Sequence, residues 1–154
     1  MNYSVDYKYV VDTNALISYF SDIFEGCDIS VSKESLEIID QAINNNNEIK
    51  LIIPSCVFLE IFIKWFKNEE IANKIISEIY YRIKQKENIE IQPLDKEILE
   101  NYILIKDIEE EYKFDGHDKQ VFASAMTMQC PLISSDLNLI RYNQRKKLVP
   151  SILK

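Results

Sequence analysis

The sequence predicts an α/β domain built on a parallel sheet, and three observations carry that prediction. Short runs of β-branched and other apolar residues alternate with longer amphipathic segments, the strand–helix–strand order that a parallel sheet with crossover helices requires. Two glycines and four prolines in 154 residues leave little of the chain for loops. Hydrophobic residues make up 47 % of it, enough to bury one core, and the length allows one domain over 1–154 rather than two catalytic ones.

Tyr9-Val10-Val11 reads as the first strand and Thr13 to Phe20 as an amphipathic helix. Ser32 to Ile43 is a second helix, with Leu36, Ile39 and Ile43 among its apolar positions. The run of asparagines from Asn44 to Asn47 suits a helix end and turn. Leu51-Ile52-Ile53 is the next strand, stopped by Pro54, and Ser55 is placed to cap the helix that follows through Phe66, apolar almost all round. Asn68 or Glu69 begins another helix through about Lys86. Ile89-Glu90-Ile91 alternates as a short strand, and Lys96 to Glu111 is a helix with Ile98, Tyr102 and Ile105 on one face. Asp115-Gly116 makes a turn. A helix from His117 to Met128 turns Val121, Phe122, Ala125 and Met128 inward, Pro131-Leu132-Ile133 is a buried strand, and Asp136 opens a short helix through Tyr142. No internal repeat is visible.

Composition narrows the function. A net charge of −7 points away from a protein that grips nucleic acid over its whole surface, because phosphate contacts draw on Lys and Arg, and it is the main compositional objection to a nucleic-acid enzyme. If carboxylates hold two divalent ions, the loaded chain carries only about −3. Cys27, Cys56 and Cys130 are odd in number, far apart and not in CxxC pairs, which argues against a disulfide framework or a zinc site and for reduced thiols. No basic start with an apolar stretch marks a signal peptide, and no run approaches the roughly 18 apolar residues of a membrane helix, so a soluble, cytoplasmic protein without a membrane partner is expected.

Chemistry in an open parallel sheet collects at the carboxyl ends of the strands. Asp12 directly follows the first strand, Asp136 follows Leu132-Ile133 by two serines, and Asp118 begins a helix whose positive end faces the same edge. Taken singly, each is also an ordinary helix N-cap or first-turn acid, stabilising by ~1 kcal/mol. Glu60 is the one acid in a long apolar run, about one and a half turns into its helix, from where it can reach back to that edge. Its bland explanation is an i,i+4 pair with Lys64, which accounts for an exposed glutamate and not for a buried one. Four acids converging on one pocket would repel one another unless cations joined them, and Mg²⁺ or Mn²⁺ suits oxygen ligands and phosphodiester hydrolysis by metal-activated water.

The segments Tyr9-Val10-Val11-Asp12-Thr13-Asn14-Ala15-Leu16-Ile17, Phe58-Leu59-Glu60, His117-Asp118-Lys119-Gln120-Val121-Phe122-Ala123-Ser124-Ala125 and Leu132-Ile133-Ser134-Ser135-Asp136 resemble the successive motifs of the PIN-domain family and span most of the chain. The first and third are the most specific. The resemblance implies a three-layer sandwich, with a mostly parallel sheet of about five strands and helices on both faces. It also implies an endoribonuclease that uses Mg²⁺ or Mn²⁺, most like the small VapC-type toxins of toxin–antitoxin pairs. By residue, Asp12, Glu60, Asp118 and Asp136 match the metal-site acids, while Asn14 and Ser134 match supporting polar positions. Asp115 is a possible extra ligand through water, though an Asp-Gly turn is the simpler account. His117 aligns with a frequent position, for which a helix-start role and an RNA contact both stand. RNA as substrate, an antitoxin and a homodimer are the implied partners. The acidic stretch Asp22 to Asp28 and the longer middle helices depart from the smallest toxins.

Arg141, Arg145, Lys146 and Lys147 follow the helix that Asp136 opens, with no acid between them. They read equally as holders of RNA phosphates and as a solvated face, and Tyr142 among them offers a ring for a base. Trp65, Phe66, Tyr80 and Tyr81 exceed what one helix face buries; core packing explains them best, and an exposed remainder would suit a dimer contact or a docked antitoxin helix. A phosphatase with an aspartate nucleophile would want a second acid where Asn14 stands, and a ribonuclease H-like fold would open with an antiparallel meander. The rival of another class is a catalytically silent PIN-fold module that binds RNA or protein.

Overall fold

Val10 and Val11, adjacent residues that point to opposite sides of strand β1 (Tyr7–Val11), are both fully buried, as are Leu51 and Ile53 of strand β2 (Ile49–Pro54), with Ile52 nearly so. A strand buried on both sides needs a layer on each face, which is why these stretches read as near-continuous apolar runs. The computed structural model describes residues 7–44, 48–108 and 116–154, so residues 45–47 of the asparagine run and Asp115 of the expected turn lie outside the described residues. The remaining strands are β3 (Ile89–Gln92), β4 (Leu132–Ile133) and β5 (Ile152–Leu153), and the sheet order is β3-β2-β1-β4-β5 with every pairing parallel.

The chain runs outward from β1 through β2 to β3 and then returns to lay β4 on the other side of β1. The order therefore reverses between β1 and β4, where crossover segments diverge and leave a crevice at the strands' carboxyl ends. Register fixes what stands there. Val11 lies opposite Ile133, and the Asp12 N–H donates to Ile133 O at 3.2 Å, so Asp12 and Ser134 emerge side by side.

Among the described residues seven helices cover this sheet: α1 (Thr13–Tyr19), α2 (Lys33–Asn44), α3 (Ser55–Trp65), α4 (69–84), α5 (Lys96–Leu104), α6 (Gly116–Met128) and α7 (Leu137–Lys146). Helix α2 packs on α1 and β2, α6 packs on β1 and β2, and α5 lies against α6. The expected three-layer arrangement is the observed one.

Some boundaries differ from expectation, each for a local reason. Ser55 does not cap α3: Pro54, with φ −56° and ψ 139°, occupies the cap position, no side chain caps the helix, and Ser55 is already its first residue. Asn68 does cap α4, accepting from the Ile71 N–H at 2.9 Å. Helix α4 widens to π geometry over Ile75–Tyr81, between ordinary turns at Glu69–Lys74 and Arg82–Lys84. Helix α5 ends at Leu104, because Ile105 leaves helical geometry at φ −102° and ψ 23° while both Ile105 and Ile108 are fully buried. Strand β5 was not placed from the sequence; it adds two residues to β4, with Ser134 N–H donating to Leu153 O at 2.9 Å. The middle-helix aromatics divide. Trp65 packs edge-on against buried Phe24 and Tyr80 against Phe58, whereas Phe66 and Tyr81 are 42 % and 48 % exposed.

Candidate active site

Asp12 is both the end of β1 and the cap of α1. Its backbone is extended, its Oδ1 accepts the Ala15 N–H at 2.8 Å, and it is only 5 % exposed. A capping aspartate usually sits in water; this one is sealed in by the sheet. Burial pushes its carboxyl up to about 6, the charges of Asp136 and Glu60 push the same way, and hydrogen bonds from the Ser134 hydroxyl and the Ala15 N–H oppose them. Three of the four acids therefore share one electrostatic neighbourhood.

Ser134 is fully buried and joins two of them, since its oxygen accepts the Asp136 N–H at 3.1 Å while its hydroxyl bonds the Asp12 carboxylate. Asp136 caps α7, with Oδ1 accepting from Asn138 N–H at 2.9 Å and Leu139 N–H at 3.4 Å, which leaves its second oxygen for another partner. Glu60 is buried on α3: Oε2 accepts the Thr13 hydroxyl at 2.7 Å and Oε1 accepts Lys64 Nζ at 2.5 Å. The sequence left two explanations of Glu60 open, a lysine pair or burial, and both hold at once. Asp118 lies in the first turn of α6, and its charge reaches the Cys56 thiol, which burial first and Glu60 second push up to about 11.

Other positions fall further out. Asn14 is exposed in the first turn of α1. His117 is half-buried, and its Nδ1 is buried with no hydrogen-bond partner among the described residues. Arg141, Arg145, Lys146 and Lys147 are exposed, but α7 rises ~1.5 Å per residue, so the last of them stands roughly 15 Å from Asp136. Lys146 is paired with Asp107 at 2.7 Å, and Arg145 lies over the Tyr142 ring. Tyr142 cannot stack on a base: it is 1 % exposed, donates to Asp107 at 2.8 Å and packs edge-on against Phe122. Thr13 was missed, although a hydroxyl directly after the strand-end aspartate was the available signal.

The donor set fits a hard divalent cation. All four acids offer oxygen, and a carboxyl pushed upward first by burial and further by two neighbouring anions is one that a positive ion would relieve. The ligands are not drawn together around a centre: among the described residues no three His, Cys, Asp or Glu side chains form a cluster able to hold a metal ion. Glu60 is held by Thr13 and Lys64, and Asp136 by its own helix.

A model of the PIN domain family matches residues 9–144, which include all four acids. The chain belongs to the PIN domain family. None of the curated proteins searched matches it. Two solved structures share the PIN domain's fold at 13 % identity. FitAcB from Neisseria gonorrhoeae superposes with a TM-score of 0.64 over 95 % of this chain and 96 % of that one. VapBC2 from Rickettsia felis, bound to a DNA fragment from their promoter, superposes at 0.60 over 96 % and 97 %. No helix among the described residues is long and apolar enough to cross a membrane.

One prediction arises directly from the Ser134 bridge. Ser134→Ala removes a donor from Asp12 and leaves the Asp136 N–H unpaired, destabilising the PIN domain by about 1–3 kcal/mol. Because the Ser134 bond lowers the Asp12 carboxyl, its loss raises that carboxyl further. Ionised Asp12 is then reached only at higher pH, and the Asp12 titration followed by NMR in Ser134→Ala moves upward; an unmoved titration would show that Ser134 only packs.

Proposed function

We propose that this PIN domain is a divalent-metal-dependent endoribonuclease, the toxin of a VapC-type toxin–antitoxin pair, with Mg²⁺ or Mn²⁺ held by Asp12, Glu60, Asp118 and Asp136. The observation that carries the reading is the state of Asp12, a helix cap at the sheet's switch point whose burial raises its carboxyl to about 6, with the charges of Asp136 and Glu60 near enough to push it the same way. A purely structural cap gains nothing from such neighbours. When bound, the ion supplies charge neutralisation and Lewis-acid polarisation for hydrolysis of a phosphodiester.

The chain's own residues do the rest. Ser134 orients Asp12 and the backbone before Asp136, Thr13 fixes one oxygen of Glu60, and α6 carries Asp118 to the same edge. Asn14 stands at the rim, and Arg141, one and a half turns along α7, is the basic residue best placed for a flanking phosphate; Arg145, Lys146 and Lys147 contact RNA further from the scissile bond. The antitoxin partner is supported by likeness to FitAcB and VapBC2, and the exposed Phe66 and Tyr81 provide apolar surface for it or for a homodimer. The cytoplasm is the compartment where such a toxin meets its RNA.

The silent binding module also has an observation in its favour, since among the described residues no acid cluster is closed around a metal centre. One experiment separates the two. Purified, antitoxin-free protein is incubated with total cellular RNA in Mn²⁺, Mg²⁺ or EDTA beside an identically prepared Asp12→Asn variant. Discrete metal-dependent cuts, absent in the variant, are expected; a folded protein that binds Mn²⁺ yet cuts nothing in any condition is the module.

A further inference from the structure

Glu60 already holds a cation. Both of its oxygens are engaged, Oε1 by Lys64 Nζ at 2.5 Å and Oε2 by the Thr13 hydroxyl at 2.7 Å. Other lysine–glutamate pairs of the same helical spacing are different in kind. Lys33–Glu37, Lys74–Glu70 and Lys96–Glu100 stand at 3.9, 3.6 and 4.0 Å with glutamates 61 %, 81 % and 64 % exposed, against 8 % for Glu60. Those three are solvated pairs of little consequence. In the fourth, a carboxylate that water scarcely reaches is held by a lysine whose side chain is 59 % exposed. The two partners are unequally placed: Lys64 carries its charge on a long flexible stem from an exposed helical position, whereas Glu60 is buried and held by Thr13.

We propose that Lys64 is a built-in counter-cation that competes with the divalent ion for Glu60, so that the side chain at position 64 sets how tightly the PIN domain holds its metal. This rests on the metal-site reading of the four acids. Without the ion, the ammonium neutralises Glu60, whose charge otherwise adds to that of Asp136 at Asp12. With the ion, two positive charges replace one, the lysine is released to solvent, and Thr13 keeps the glutamate in place. The same exchange accounts for a site whose acids share an electrostatic neighbourhood without forming a closed ligand cluster.

The test is a Mn²⁺ titration of metal-free protein by calorimetry, comparing wild type with Lys64→Met, Lys64→Gln, Lys64→Arg, Glu60→Gln and the Glu60→Gln, Lys64→Met double variant. Lys64→Met and Lys64→Gln, both at an exposed helical position, bind Mn²⁺ roughly tenfold more tightly than wild type, the scale of one charge-assisted hydrogen bond. Lys64→Arg stays close to wild type. In the Glu60→Gln background the Lys64→Met gain disappears, which a general charge effect would not produce. Wild type that binds Mn²⁺ while Lys64→Met binds no better overturns the competition and leaves the metal site standing. Folded wild type and Lys64→Met that both fail to bind Mn²⁺ overturn the metal site and the competition together.

Discussion

Asp12→Asn makes the metal-free PIN domain more stable at neutral pH while removing the nuclease activity proposed for it. The two effects share one cause. Burial and the neighbouring charges of Asp136 and Glu60 raise the Asp12 carboxyl to about 6, so the folded state prefers it protonated. An unfolded chain returns it to near 3.8. Folding therefore takes up a proton between those limits, and wild-type stability falls as pH rises through that window and levels off above it. The full loss is about 2–3 kcal/mol. Asparagine keeps an oxygen for the Ala15 N–H and carries no charge, so the variant lacks that loss. Urea melts in EDTA should show the two proteins converging near pH 4 and separating toward pH 7, with the variant ahead. Mn²⁺ should then stabilise wild type and not the variant, and cleavage should fall at least about 100-fold, since even outer-shell partners of a metal are worth 10–100-fold. A wild type as stable as the variant at pH 7 without metal would sink the idea of an electrostatically strained site.

What the sequence made legible followed from local pattern. Asp12 could be placed because a strand of Val10 and Val11 ends at it, and Asp136 because two serines separate it from Leu132-Ile133; in a parallel sheet such positions share one edge whatever the tertiary detail. Strand β5 was illegible because Ile152-Leu153 is too short to show a period, and only its ladder with β4 makes it a strand. The Lys64 pair was visible at i,i+4 spacing and the apolar run around Glu60 pointed to its burial, but that the two would coexist, a buried carboxylate paired with an exposed lysine, needed the tertiary structure. Thr13 acquires its role across 47 residues of chain, from a helix that local rules cannot bring near it. The basic cluster shows another limit of sequence distance. Arg145, Lys146 and Lys147 follow Asp136 closely in sequence, yet a helix carries them steadily away from it, and Tyr142 on the inner side of that helix belongs to the core.

The core residue whose loss should matter most to the site is Phe122. It is fully buried on α6, four residues beyond Asp118, and its ring meets Tyr142 of α7 edge-on at 5.7 Å between centroids. Tyr142 in turn is tied to Asp107, which also holds Lys146. Phe122 is thus the apolar link between the helix that carries Asp118 and the helix that Asp136 caps. Phe122→Ala deletes a ring from a close-packed position and should destabilise by about 3–5 kcal/mol, lowering the melting temperature by roughly 10 °C for a domain of this size. Leucine in its place restores most of the volume and should recover much of that loss. Stability alone would make this an ordinary core substitution. Because the cavity falls between the two helices that carry the proposed ligands Asp118 and Asp136, the alanine variant should also bind Mn²⁺ more weakly at a temperature where it remains folded. Ile79→Ala, equally buried but on α4, should lose stability with unchanged metal affinity. Equal metal affinity in both alanine variants would mean that the carboxylates are held by their own hydrogen bonds, through Ser134 and Thr13, and not by the packing of the helices beneath them.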